Sequence, residues 1–120
     1  MKEQLPQYDN LTFQLWDYSV SHGMLLIRCP AARGETENTD IVFHGVIYMA
    51  LPRHLLGLKF VEPTEAEAAR MNHLLGPVDT KNNLYVIESG QDRHLVLAAG
   101  MRVEKNELDV FDLPYARPPF

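Results

Sequence analysis

From Ile41 to Leu51 the odd-numbered positions Ile41, Phe43, Ile47, Met49 and Leu51 are apolar, and only Gly45 interrupts them. Side chains two apart share one face of an extended strand, whereas a helix scatters them around its axis. The alternation returns at Leu95, Leu97, Ala99, Met101 and Val103, and earlier at Leu11, Phe13 and Leu15. A chain patterned in twos folds by pairing strands and burying one side of the resulting sheet. Between Leu15 and Trp16 the parity changes, because Trp16, Tyr18 and Val20 continue the pattern on even numbers. Either a β-bulge near Leu15–Trp16 or a strand buried on both sides accounts for the switch.

Met24 to Cys29 is nearly all apolar and reads as a central strand. Pro52 ends the Ile41–Leu51 strand, since proline cannot donate to a ladder. Leu58 to Val61 suits a short fourth strand, and Arg53–Leu56 a helical turn. One helix is marked at both ends. Thr64 and Glu67 have the spacing of a capping box, Ala68, Met71 and Leu75 share a face, and Gly76-Pro77 stops the helix. Leu84–Glu88 and His94–Val103 flank a hairpin loop, and Lys105-Asn106 turns the chain into a last strand at Leu108–Phe111. The predicted fold is α+β: a single antiparallel sheet of about six to seven strands, packed by one helix near residues 64–75. Residues 1–120 are expected to form one domain, with a proline-rich extended tail at 114–120.

Composition narrows the function classes. The 120 residues are 46% apolar and 22% charged, as in ordinary globular proteins. With 11 basic and 16 acidic residues the net charge is −5, which argues against a nucleic-acid backbone as partner. The acids gather in three stretches: Glu35, Glu37 and Asp40; Glu62, Glu65 and Glu67; Glu104, Glu107, Asp109 and Asp112. Such stretches either keep a protein soluble or match a basic partner. Cys29 is the one cysteine, so no internal disulfide forms, which suits a reducing compartment. No stretch approaches the roughly 20 apolar residues that cross a bilayer, and the first ten residues lack a signal core. The expected location is cytoplasmic, with no membrane partner.

The signatures of phosphate-binding loops, dinucleotide folds, zinc proteases and nucleophile elbows are absent, which favours binding over catalysis. The five histidines form no metal-ligand spacing, and no metal or other cofactor is expected. One constellation follows from a choice of register. If Val20-Ser21 turns the chain, Ser19 faces His22, Asp17 faces Met24 and Leu15 faces Leu26. If Leu25 then faces Gly45, one surface carries Trp16, Tyr18, Leu25, Ile27, Ile41, Phe43 and Ile47. The opposite surface gathers Asp17, His22, His44 and Tyr48, with Arg28 further along. A carboxylate beside two imidazoles and a phenol can hold a polar ligand or move a proton, although half-exposed sheets carry mixed polar residues as a matter of course. The expectation is an acidic protein-interaction module, an inhibitor or immunity-type partner of a basic protein. A small-molecule binder or minor enzyme using the polar group is the alternative, and a homo-oligomer joined at a strand edge is the third reading.

Overall fold

The structure, a computed structural model, describes residues 5–77 and 79–115. Eight strands and one helix run in the order β1 (Gln7–Ser19), β2 (Met24–Cys29), β3 (Asn38–His44), β4 (Tyr48–Ala50), β5 (His54–Val61), α1 (Glu65–Leu75), β6 (Asn83–Ser89), β7 (Asp92–Ala98) and β8 (Gly100–Asn106). All pairings are antiparallel, and the strands form one sheet in the order β4-β7-β6-β5-β1-β2-β3-β8.

That order requires the sheet to roll. Strands β3 and β4 lie six places apart, about 29 Å in a flat sheet. Only residues 45–47 join them, and the step from His44 to Tyr48 spans at most about 14 Å of extended chain. Ala99 alone joins β7 to β8 at the same place. The ladder continues across both joints, with Ala99 N donating to His44 O at 3.0 Å and Ile47 N to Leu97 O at 2.8 Å. Residues 38–50 and 92–106 therefore act as two bent strands, paired along their length, that close the wall of a barrel.

Inside the wall lie Phe13, Leu25, Ile27, Ile41, Phe43, Phe60, Ile87 and Val96, with Tyr85 set edge-on to Phe43 at 5.4 Å between ring centroids. Burying each large side chain contributes on the order of 1.5–3 kcal/mol. The alternation that predicted strands thus supplies the barrel filling. A bulge takes up the parity change, because Leu15 pairs with Ile27 but Asp17 with Leu26, which leaves Trp16 as the extra residue.

Several expectations need correction. The described residues form eight strands rather than six or seven, since bends at 45–47 and at Ala99 divide two long ones. The segment at Arg53–Leu56 is not a helical turn, because β5 begins at His54 and pairs with β1. Leu108–Phe111 forms no strand. Helix α1 has its Thr64–Glu67 capping box but does not blanket the sheet: Met71 is its one buried residue, packed with Val86 and Leu95, while Leu74 and Leu75 remain 50% and 42% exposed. The tail expected at 114–120 lies mostly outside the described residues, and Pro114 and Tyr115 rest against the barrel. No described helix is long and apolar enough to cross a membrane.

Candidate interaction site

On the outside of β2 and β3, positions that an open sheet would expose are sealed. Leu26, Val42 and Asp40 are 0% exposed and Arg28 is 1% exposed. The cover is the segment following β8. Four side chains from four strands each donate to one of its carbonyls. Asn38 Nδ2 reaches Leu108 O at 2.9 Å, Trp16 Nε1 reaches Val110 O at 3.3 Å, Arg28 Nη2 reaches Asp112 O at 3.1 Å, and Arg102 Nη2 reaches Pro114 O at 2.9 Å. The pinned carbonyls fall at alternate residues, as in an added strand. A turn closed by Asp112 N to Asp109 O at 2.9 Å interrupts them without releasing the segment. Tyr115 then donates its hydroxyl to Asp17 Oδ2 at 2.7 Å. Burial, first of all, pushes the Tyr115 phenol up to about 12, so it stays a neutral donor at physiological pH.

The base of this strap is an ion pair. Arg28 Nε and Nη2 meet the two Asp40 oxygens at 2.7 and 2.9 Å, and Asn106 Nδ2 donates to Asp40 Oδ2 at 2.8 Å. A bidentate pair with a third donor satisfies a carboxylate taken out of water. Arg28 Nη1 makes no hydrogen bond, and the guanidinium lies 5.3 Å from the Trp16 ring centroid. Asn38 extends the network, receiving Ala31 N at 2.9 Å and donating to Asn106 Oδ1 at 3.0 Å.

The strap presents what it does not bury. Phe111 is 88% exposed and Val110 56% exposed, at the tip of the 109–112 turn. Acidic Glu107, Asp109 and Asp112 flank them and are exposed. Because Asn38 pairs with Asn106, the loop entering β3 and the segment leaving β8 emerge side by side. Two of the three acidic stretches therefore adjoin: Glu35 and Glu37 line a hollow with Thr39 and Lys105, and Asp40 pairs with Glu104 across the ladder. Between strap and barrel lies an open cleft of about 510 Å³, lined by Trp16, Asp17, Val110, Phe111, Asp112, Leu113 and Tyr115.

The five residues grouped from the sequence divide between places. Asp17 and Arg28 both meet the strap. His22 is exposed in the β1–β2 turn, its Nδ1 3.0 Å from Ser21 Oγ. His44 is exposed at the end of β3, its imidazole over Gly100. Tyr48 is half-buried and packs beside the Met71 cluster. Val46 N donates to Gly23 O at 3.0 Å, which ties the turn of His22 to the joint between His44 and Tyr48. The proposed register is corrected: Ser19 pairs with Met24 and Asp17 with Leu26, a shift of two, because the turn takes residues 20–23; Leu15 pairs with Ile27, a shift of one beyond the bulge; and Leu25 pairs with Phe43 rather than Gly45. A slip of two preserves the faces, so Tyr18, Leu25, Ile27, Ile41 and Phe43 do point inward together. It moves the neighbours, however. Ile47 is 55% exposed, and the bulge turns Trp16 out to the strap.

Phe111, Val110 and Tyr115 were missed because alternation at Leu108 and Val110 reads as one more strand. Asp109, followed two residues on by an aromatic and then Asp112, was the available turn signal. Burial raises the Cys29 thiol, which keeps it protonated and poorly nucleophilic. Among the described residues no cluster of three metal-ligating side chains occurs. Comparison of the chain with protein-family models, with curated proteins and with solved structures finds no match.

Proposed function

We propose that this chain is a protein-interaction module, and that its contact surface is the strap on the outer barrel wall, with Phe111 between the acidic residues Asp109 and Asp112. The observation that carries the reading is Phe111 itself: a phenyl ring 88% exposed, on a backbone held by four side-chain donors, with carboxylates on either side. A lone exposed leucine needs no account, but a braced aromatic costs little conformational entropy when a partner covers it. Aromatic anchors at the centre of an interface carry much of its energy, and surrounding charge sets the partner and the rate of encounter. The matching surface is an apolar hole ringed by lysine or arginine. A partner whose hole is its own active site would make this chain an inhibitor or immunity-type protein. Of the earlier group only Asp17 lines the cleft beside Phe111; Arg28 is buried beneath the strap and holds the Asp112 carbonyl.

Immobilised wild-type and Phe111→Ser chains, each exposed to native extract at about 50 mM and about 500 mM salt, test the proposal. A stoichiometric protein held by the wild type at low salt, released at high salt and absent from Phe111→Ser is the expected result. Recovery of no such protein, or equal recovery by both chains, contradicts it.

A further inference from the structure

A second hollow opens where the barrel wall is incomplete. Strand β5 pairs with β6 as far as Val61 and Val86, and the chain then leaves the sheet through Glu62 and Pro63 into α1. Leu84 and Tyr85 continue β6 past that point with no β5 residue opposite them. Phe60 N donates to Pro6 O at 3.0 Å, which fixes the other rim. The result is a hollow of about 320 Å³ that touches both apolar clusters. Phe60, Tyr85 and Met101 belong to or pack on the barrel filling, and Val61, Leu84 and Val86 belong to or pack on the cluster around Met71. The hollow shares no lining residue with the cleft under the strap.

Three aromatic rings already meet here. Tyr85 stands edge-on to Phe43 at 5.4 Å and to Phe60 at 6.4 Å, and these contacts fix its ring. Burial raises the Tyr85 phenol, so it remains a neutral hydroxyl at physiological pH, and Asn83 alongside partly counters the rise. Asn83 is itself tied by Nδ2 to Ala99 O at 3.1 Å. Apart from Glu62, Asn83 and that hydroxyl, the lining side chains are apolar. Apolar walls with a few fixed polar groups are what small-molecule sites are made of. We infer that this hollow receives one small planar molecule of the phenol or indole kind, its ring against Phe60, Tyr85 and Met101 and its one polar group on the Tyr85 hydroxyl. A ring placed there extends the edge-to-face cluster, and the Met101 thioether suits a ring edge. An apolar cavity of about 150 Å³ admits benzene, so about 320 Å³ leaves room for a ring with a short substituent.

The full chain, carrying ¹³C at its methionine methyls, is titrated with p-cresol and with toluene, which lacks the hydroxyl. The expected result is a saturable shift of the Met101 methyl with p-cresol, while the methyl of Met24, which does not line the hollow, stays in place. Tyr85→Phe keeps the ring contacts and removes the hydroxyl. It is expected to lower the preference for p-cresol over toluene, taken as the ratio of their half-saturation concentrations, by at least about threefold. Comparing ratios removes the difference in hydrophobicity between the two compounds. A Met101 shift that grows without saturating, or shifts of equal size at Met24 and Met101, overturns the inference. So does a smaller fall in the preference.

Discussion

Asp40 is wholly buried and takes three hydrogen bonds, two of them from Arg28. Removing one member of such a pair strands a charge away from water, which costs more than the pair contributes. Asp40→Ala is therefore expected to lose about 3–5 kcal/mol in urea unfolding. The double variant Arg28→Met/Asp40→Leu recovers most of that loss, although it releases the strap at Asp112. Glu67 makes a second, different residue-scale case. The Arg93 guanidinium, at 2.9 Å, is the main cause that lowers the Glu67 carboxyl to about 2, with the Thr64 cap adding to it. A carboxyl depressed on folding stabilises the fold above its ordinary value near 4.5 and ceases to do so as pH falls toward 2. Solvent screening holds the effect to about 1 kcal/mol. Thermal melts of wild type and Glu67→Gln should differ at pH 6 and converge near pH 2; a constant gap would count against this account.

At the scale of elements, legibility depended on how local the signal was. The capping box of α1 was readable because Thr64 and Glu67 satisfy each other within one turn. The bulge at Trp16 was readable because parity is a property of neighbouring residues. The bends at 45–47 and Ala99 were not, because apolar alternation runs straight through them and only the closing of the wall imposes the corner. The strap was hidden for the opposite reason: its partners Trp16, Arg28, Asn38 and Arg102 lie 12–94 residues away in sequence. Turns test the corner. Gly23 has φ +60°, and a Cβ there would stand 2.8 Å from Val46 N, whereas Gly90 has φ +61° with open space. Gly90→Ala bears only the left-handed backbone cost, about 1 kcal/mol. Gly23→Ala should exceed it by about 2 kcal/mol, because it also pushes the β1–β2 turn off the β3–β4 joint. Equal losses in chemical denaturation would deny the close approach. Met71→Ala, which empties the small cluster with Val86 and Leu95, should cost about 2–3 kcal/mol.

For the whole molecule, the barrel is a platform and the strap is what it displays. Rolling brings the loop before β3 beside the segment after β8, so charges some 70 residues apart share one end. The interior needs only the period-two pattern, and many sequences meet that demand. The outer network of Arg28, Asp40, Asn38 and Asn106 is more particular, because Arg28 Nη2 and Asn38 Nδ2 reach carbonyls of the strap, at Asp112 and Leu108. The proposed interaction surface follows from residues 107–115 being held against the barrel rather than trailing from it. The direct measurement is a ¹⁵N-edited nuclear Overhauser spectrum of the full chain, read at the indole N–H of its single tryptophan. The account predicts cross-peaks from that proton to Val110 and Phe111, with dispersed shifts for Leu108 to Tyr115. An indole signal with no contacts beyond β1 and β2, and random-coil shifts through the segment, would contradict it.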